Sequence, residues 1–466
     1  LGALALLHGE PDAAALGAAL ALAPTEARSL VDALAAHSLL RPLPSPADAG
    51  EPADARRYAL AQPVREFAAA RVDPAAARLQ RARLRRWLTG WVQGLGSAAL
   101  PAALAPRRAD LHAALGEIDD DDAAREVLGL GLALAEAWER ELPPAHVVDA
   151  LDDACRRVAT ALDAPTAVAV HDLLAQLRFE TGAAERALGH AEAALAAAAD
   201  APGLRAQALL RRAGVELAAG RSRDLGDAAP AAIGAMLDEG LALARRAAAP
   251  AIEARALQAL ATHALYTHRD AARAERHAAA AQALWTALGE RRRAYAALRQ
   301  RAQCWRRLGR ADEALATYRA CEAAALAEDD VGACIDALLA QAALLGDRRR
   351  SAEGLEVDRR CIALCWRHGH GHGLAYSLWY AAALHLRQGE AETALRLIAF
   401  AARYWRTRFG ALSPGDLRHV EALRRLVRRA AGRARAEALE IDGASLTLSQ
   451  AVALALGEAT ASGGRA

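Results

Sequence analysis

Helix-length apolar segments recur along most of this chain, and their spacing constrains the fold more than any other feature. From about Ala167 onwards each segment ends at a glycine or a polar turn, and the stops are roughly 37 to 48 residues apart. They lie at Gly182, Gly220, His268-Arg269, Gly309, Gly346-Asp347 and Gly389. A unit of this length cannot bury its apolar face alone, so neighbouring units must stack. The pattern predicts an α-solenoid of paired helices.

The clearest unit runs from Ala294 to Leu326. Ala302 is a small residue at which two paired helices can cross, and Gly309 ends the first helix. The residues expected to fill the groove or to face inward are Trp305, Leu308, Ala314, Leu315, Tyr318 and Cys321. Ser377–Trp405 repeats this pattern. A third copy is marked by Ala175, Gly182, Ala187 and Leu188.

These units resemble tetratricopeptide repeats. The resemblance implies an all-α protein in which residues 131–431 form a right-handed α-superhelix of helix pairs. One unit, over residues 206–249, carries an insertion between its helices, RSRDLGDAAP at 221–230.

The first seventy residues follow a different pattern. Leu30, Leu34 and Leu39 share one apolar helical face, and the chain then turns extended over 40–43 and meets prolines 42, 44 and 46. A short strand-like segment, Arg57–Leu60, precedes a helix in which Pro63 fits the first turn. Helix, strand, loop, strand and helix are the outline of a small winged-helix domain, which we predict over residues 1–75.

This segment resembles the winged helix that follows the nucleotide-binding domain in STAND-class regulatory ATPases. It departs from that pattern at His37, Gln62, Pro63 and Phe67. The matching residues are Leu34, Ser38, Leu39, Leu40, Arg57, Tyr58, Val64, Arg65, Glu66 and Ala68. The end of the chain is similar to the end of the same proteins at Leu448, Ser449, Ala451, Val452, Ala455 and Leu456.

The resemblance implies that the chain is the sensor and regulatory region of a STAND-type signalling ATPase, and that the whole protein is a bacterial transcriptional regulator. A helical connector over 76–130 would join the winged helix to the repeats. A helical cap over 432–460, with a cap residue at Thr447 or Ser449, and a disordered tail over 461–466 would follow. The repeats would bind a protein or small-molecule inducer, and the protein could self-associate. The alternative is a free-standing tetratricopeptide scaffold for protein–protein interaction, without any link to a nucleotide.

Gln62 is the candidate nucleotide-contacting residue. In the related proteins a histidine or glutamate that enters the last helix of the winged segment monitors the diphosphate of the bound nucleotide, and the resemblance places Gln62 there. Glutamine can donate and accept hydrogen bonds but carries no charge. A purely structural role, as a polar residue that caps the helix before Pro63, stays open.

All 58 basic residues are arginine. A P-loop needs a lysine to contact the phosphates, so this chain cannot supply one. Any ATPase domain is therefore expected upstream of Leu1, in a longer protein of which this chain is a fragment, and ATP or ADP would be bound there. No cofactor is expected within this segment.

The composition of the chain and the motifs that it lacks argue against several other classes of protein. The net charge of +2 demands no polyelectrolyte partner. The candidate recognition helix carries Arg28 but also Glu26 and Asp32, so direct DNA binding is not expected. Neither a signal peptide nor an apolar run of bilayer length appears, and six scattered cysteines make no disulfide framework, which favours the cytoplasm. Without a nucleophile elbow, a zinc-protease motif or a dinucleotide fingerprint, we expect no catalytic residues.

One cluster has side chains that could bind zinc: Cys361, Cys365, His368, His370 and His372. The spacing Cys-x-x-x-Cys is not that of a zinc ribbon or knuckle. We therefore favour inward-facing thiols on a repeat helix, followed by a flexible histidine-glycine loop, and assign no metal site.

The resemblance to tetratricopeptide repeats also implies where a ligand would bind, and we call this place the receiving surface. In a tetratricopeptide superhelix the first helix of each pair lines the concave side. Counting back from Gly309 and Gly389 predicts a groove that binds an extended peptide or an acidic small ligand through Arg299, Gln303, Arg306, Tyr376 and Trp379. Trp379 is included because its neighbour Leu378 already occupies the packing position. In the alternative interpretation the arginines are merely solvated and Trp379 packs against the next repeat.

Overall fold

The computed structural model describes residues 2–43, 56–95, 100–139, 142–219 and 228–458. They fall into two compact units. The N-terminal unit comprises residues 1–139 and 146–162, and the repeat unit comprises residues 140–145 and 163–466.

The N-terminal unit is helical apart from one pair of short strands. Its elements are α1 (Gly2–Ala5), α2 (Ala13–Leu20), α3 (Pro24–Ala36), β1 (Leu40–Pro42), β2 (Tyr58–Leu60), α4 (Gln62–Ala69), α5 (Pro74–Gln93), α6 (Leu100–Leu104), α7 (Arg108–Gly116), α8 (Asp121–Ala133), α9 (Ala135–Trp138) and α10 (Ala145–Val158). The strands are antiparallel, with Leu40 opposite Leu60 and Pro42 opposite Tyr58. Both strands lie where the sequence predicted them. The winged-helix assignment itself stays a prediction, and the prolines at 44 and 46 lie outside the described residues.

The core of the N-terminal unit is centred on α5, which packs against α2 and α8. Leu84 and Leu88 are buried there, and so is Arg85. Arg85 donates Nε–H to the carbonyl of Ala114 at 2.7 Å, which satisfies a charge that would otherwise be costly to bury. The predicted borders 75/76 and 130/131 fall inside α5 and α8, and the residues on both sides of each border belong to the same compact unit.

The repeat unit is a stack of helix hairpins that begins at Ala164, later than the predicted residue 131. Six successive pairs are described, and each helix packs mainly on the helices next to it in the chain. The helices are α11 (Ala164–Glu180), α12 (Ala184–Ala198), α13 (Pro202–Ala219), α14 (Ala228–Arg246), α15 (Pro250–Tyr266), α16 (Ala271–Ala287), α17 (Arg291–Arg307), α18 (Ala311–Ala327), α19 (Val331–Asp347), α20 (Ser351–His368), α21 (Gly371–Arg387) and α22 (Ala391–Phe409). This helical repeat confirms the predicted solenoid of paired helices.

One kind of connection joins the helices from α16 to α22. In each, a residue with left-handed backbone ends the helix, and the next N–H donates to a carbonyl in the last turn, as Arg310 does to Trp305 at 2.9 Å. The left-handed residues are Gly289, Gly309, Asp329, Arg349, Gly369 and Gly389. Because Asp329 and Arg349 are not glycine, the sequence revealed only part of this regularity. The predicted stop at Gly346-Asp347 lies inside the last turn of α19, and Gly220 lies outside the described residues.

Small residues lie where paired helices cross. Ala175, Ala302 and Ala382 are fully buried, as predicted. The inward-facing set of α18 is also confirmed, since Ala314, Leu315, Tyr318 and Cys321 are all buried. Leu308 was predicted wrongly: it is the residue that follows α17, and 43% of its surface is exposed.

The last helices close the stack. These are α23 (Pro414–Ala431), α24 (Arg433–Ser445) and α25 (Leu448–Leu456), with Thr447 as the N-cap of α25. The chain between α22 and α23 also contacts the first turn of the repeat unit. A Cβ atom on Gly182 would lie 2.5 Å from the Cβ of Ala411, so only glycine fits this contact. The first and last pairs of the stack therefore meet. Helices α24 and α25 lie within the range predicted for the cap, whose role stays a prediction, and the tail at 461–466 lies outside the described residues.

Candidate functional site

The first helices of successive pairs line a groove of about 480 Å³ in the repeat unit, which we call the inner groove. Its polar lining comes from α13, α15 and α17 and comprises Arg211, Arg255, Gln258, Thr262, Arg299, Gln300 and Gln303. Two residues of the predicted receiving surface, Arg299 and Gln303, are therefore part of this groove. Gln300 comes from the same helix, α17, and the other polar residues come from pairs in which the sequence analysis placed no site.

Asp172 of α11 holds the arginines at one end of the inner groove. Arg211 reaches both of its carboxylate oxygens, with N–O distances of 2.9 and 3.1 Å, and Arg255 lies 3.7 Å away. Burial opposes ionisation of this carboxyl, but the two arginines outweigh it and hold the pKa of Asp172 below its usual value. The carboxylate is thus charged at neutral pH and keeps two guanidinium groups in fixed positions.

Further along the inner groove, Arg299 is 2.9 Å from Asp336 of the next first helix, α19. The amide of Gln300 donates at 2.9 Å to the backbone carbonyl of Gln258 and at 2.9 Å to the hydroxyl of Thr262. The other amide atom of Gln300, Oε1, is buried and has no hydrogen-bond partner among the described residues. The groove thus presents arginine donors that are held in fixed positions.

Arg306 lies at the end of α17 and belongs to a second pocket, separate from the inner groove. Its Nη1 is 3.3 Å from Asp347 Oδ2. Both Arg299 and Arg306 are therefore ion-paired across to α19, rather than simply solvated.

Tyr376 and Trp379 belong to an aromatic cluster between α21 and α22. Trp379 is only 4% exposed, and its ring centroid is 5.5 Å from that of Trp405. Tyr376 donates its hydroxyl hydrogen to Asp416 Oδ2 at 2.8 Å. The prediction of Trp379 as an exposed anchor is therefore corrected. Because α21 is covered by helices on both sides, Leu378 and Trp379 are buried together.

Glu180 is the last residue of α11 and lies near Asp416 of α23. Burial and the negative charge of Asp416 raise the pKa of its carboxyl, Arg211 partly offsets them, and the net pKa is about 7. This part of the repeat unit thus contains a carboxyl group whose pKa lies near neutral pH.

Gln62 is the first residue of α4 and is exposed. Ala61 is the N-cap residue, so Gln62 does not cap the helix as the structural alternative supposed. Its side-chain amide donates to Glu66 Oε1 at 3.0 Å, which is an ordinary contact between residues four apart on a helix. A role in contacting a nucleotide stays a prediction.

The thiols of Cys361 and Cys365 are buried between helices, and Cys361 accepts a hydrogen bond from the hydroxyl of Ser377 at 3.1 Å. His370 caps α21 by accepting from the N–H of Gly373 at 3.1 Å, while His368 is exposed. Burial lowers the pKa of His372 to about 4. Within the described ranges, no three histidine, cysteine or acidic side chains converge as metal ligands.

The sequence analysis missed Asp172, Arg211, Arg255 and Gln300. A usable signal existed: the count back from Gly309 that finds Arg299 also finds Asp172 when it starts from Gly182. The groove could therefore have been traced through the earlier pairs, had the positions of every first helix been aligned.

No protein-family model and no curated protein matches this chain. Among solved structures it is similar to a Rap protein complexed with competence and sporulation factor, at 13% identity and a TM-score of 0.46, over 79% of this chain and 100% of that one. A Pyrococcus horikoshii STAND protein with a tetratricopeptide repeat sensor shares 10% identity at a TM-score of 0.41, over 91% of this chain and 64% of that one. Aspartyl phosphate phosphatase F from Bacillus subtilis shares 11% identity at a TM-score of 0.40, over 79% and 96% of the two chains. The chain thus spans 64% of the length of the STAND protein.

Considered singly, none of the described helices has both the length and the apolar character needed to cross a membrane. The segments Arg435–Ser445 and Leu448–Leu456 meet that test only when combined, and they are bent by 119° relative to each other.

Proposed function

We propose that the repeat unit is a binding scaffold whose inner groove receives an extended peptide or a small ligand with acidic groups. The observation that carries this proposal is the row of Arg211, Arg255 and Arg299, one on each of three successive first helices. Asp172 holds Arg211 and Arg255 in place, and Asp336 holds Arg299. Preorganised guanidinium groups bind carboxylates well because less side-chain freedom is lost on binding.

Selection of random nonapeptides displayed on phage against the whole chain tests this proposal. We expect the enriched peptides to be acidic and to lose about tenfold in affinity, measured by fluorescence anisotropy, when Arg255 and Arg299 are both changed to Gln. Arg310→Gln is the matched control, because Arg310 is an exposed arginine that pairs with Glu313 away from the groove. Peptides that bind all three proteins equally would show that the inner groove is not the receiving surface.

We further propose that this scaffold is the sensor of a STAND-type signalling ATPase, in which the N-terminal unit relays ligand binding to an upstream nucleotide-binding domain. The sequence resemblance at both ends of the chain supports this reading. We assign no catalysis to the chain itself and place ATP or ADP in the upstream domain, within reach of Gln62. The free-standing scaffold is the alternative.

The gene upstream of Leu1 distinguishes the two readings. A P-loop motif encoded in frame is expected for the ATPase sensor, and its absence would leave the free-standing scaffold. In the longer protein, Gln62→Ala should then accelerate ADP release, measured with a fluorescent analogue, whereas Gln93→Ala on α5 should not.

A further inference from the structure

A second pocket, of about 360 Å³, lies where α17 and α19 end and α18 begins. We call it the rim pocket. Its apolar lining includes Ala311, the first residue of α18, and Leu344 of α19, both buried. Arg306, Arg307, Asp347 and Arg348 supply its charged lining. The rim pocket therefore combines a rigid apolar base with a predominantly basic wall.

The rim pocket carries an excess of positive charge. Arg306 lies 3.3 Å from one oxygen of Asp347, and Arg387 of α21 lies 3.4 Å from the other. Arg307 and Arg348 also line the pocket, so its lining contains three arginines and one carboxylate. The neighbouring turn arginines do not add to the excess, because Arg310 and Arg350 each form a two-pronged pair with the glutamate three residues later.

Helix ends do not cancel this charge. The negative ends of α17 and α19 and the positive end of α18 meet at the pocket, so their partial charges offset one another only in part and are smaller than the excess charge of the arginines. The first N–H groups of α18, at Ala311, border the pocket and favour an anion.

The position of Arg387 depends on a glycine. A Cβ atom on Gly346 would lie 2.6 Å from Nη1 of Arg387 and 2.9 Å from a methyl group of Leu384. Gly346 therefore lets a guanidinium group from the next pair lie against the last turn of α19. Arg306 and Arg387, from different pairs, can then approach Asp347 from two sides.

We propose that the rim pocket binds the phosphate dianion of a small phosphomonoester. Guanidinium groups match phosphate oxygens in pairs, and several of them at fixed positions favour a dianion over a monocarboxylate. A ligand phosphate would be held by Arg306, Arg307 and Arg348, with Arg387 adding positive charge beside Asp347, which moderates the charge of the empty pocket. This site is independent of the inner groove, because its charged residues lie at the ends of the helices and not along them.

Isothermal titration calorimetry of the whole chain at pH 8 and constant ionic strength tests the proposal, with inorganic phosphate, ribose 5-phosphate and adenosine 5′-monophosphate as probes. At this pH each probe is a dianion. We expect saturable binding of at least one probe. Equal affinity for all three would assign the site to the phosphate group alone, and tighter binding of the esters would assign it to an organic carrier; both results support the proposal.

Three variants give the proposal its sharpest check. Arg348→Gln combined with Arg387→Gln should weaken binding about tenfold, through the loss of charge-assisted hydrogen bonds. Asp347→Asn should tighten it about threefold, a gain that misfolding cannot imitate. Arg350→Gln, whose arginine pairs with Glu353, should bind as the unaltered chain does. No saturable heat with any probe, or equal losses in the Arg350 and Arg348/Arg387 variants, would overturn the proposal. So would binding of a phosphoserine peptide without binding of the three small molecules.

Discussion

Asp172 and Asp358 are both buried aspartates in the helix stack, but their surroundings are opposite. Asp172, on α11, faces the inner groove and is contacted by Arg211 and Arg255. Asp358, on α20, is 0% exposed, and neither of its carboxylate oxygens has a hydrogen-bond partner among the described residues. The pKa of Asp172 is lowered, because the arginines outweigh its burial, whereas burial alone raises the pKa of Asp358 well above its usual value.

The difference separates two kinds of polar residue in one fold. Asp172 is ionised and fixes charged side chains in the groove, so it belongs to a structure that is built to hold charge. Burial favours the protonated form of Asp358, which contributes a buried polar group without compensation. Polar residues on the groove side of the stack therefore serve a binding surface. A polar residue without partners between packed helices mainly lowers the stability of the fold.

The largest expected effect comes from removing Arg211, the charged partner that contacts both carboxylate oxygens of Asp172. Arg211→Ala should lower the free energy of unfolding by about 3 kcal/mol, near the lower end for a broken buried pair because Arg255 stays close. Urea unfolding followed by circular dichroism measures the change. Arg310→Ala, which breaks a fully exposed pair, should cost much less. Equal losses in the two variants would mean that Asp172 is not held as a charged group.

Glu180 provides an intermediate case. Its folded-state pKa of about 7 lies above that of the unfolded chain, so the unfolded state releases this proton first, and stability decreases as the pH rises from about 4.5 to 7. Glu180→Gln should remove this decrease, a relative gain of about 3 kcal/mol at pH 7.5 compared with pH 4.5. Thermal unfolding at both pH values measures it. Glu185→Gln, at an exposed position on α12, serves as the control. A pH dependence that is the same with and without Glu180 would contradict the assignment.

The smallest expected effect is at Asp358. Asp358→Leu replaces the carboxyl by an apolar group of similar branching and should stabilise the chain by about 1 kcal/mol at pH 7, after the cost of fitting a larger side chain. Stability should also fall less steeply above the normal pKa of aspartate, since the unfolded chain no longer ionises at this position. Urea titrations at two pH values measure both quantities. A destabilised variant with an unchanged pH profile would show that Asp358 has a partner.

Much of the fold could be predicted from the sequence, because it depends on patterns of residues that are close together in the chain. Helix length and helix ends follow from apolar spacing and from glycine at Gly309 and Gly389. The strands at Leu40–Pro42 and Tyr58–Leu60 follow from short extended runs beside proline and arginine. In contrast, the ends of α18 and α19 use Asp329 and Arg349 in left-handed conformations, which glycine counting cannot detect.

Only part of the candidate site could be predicted from the sequence. Arg299 and Gln303 were found because they occupy the right positions in the most regular unit. Trp379 occupies an equivalent position but is buried, because α22 brings Trp405 against it. A position on a helix fixes the direction of a side chain, whereas its exposure depends on the neighbouring helix.

The sequence by itself therefore determined the repeating helix pairs, the two short strands and a basic first helix at α17, all of which arise from interactions within a few turns of chain. Only the tertiary structure decided which polar groups meet. Arg211 and Asp172 are 39 positions apart, and Arg387 and Asp347 are 40 apart. These pairs form because stacking places one repeat against the next, and no local pattern records which side chains that contact will bring together.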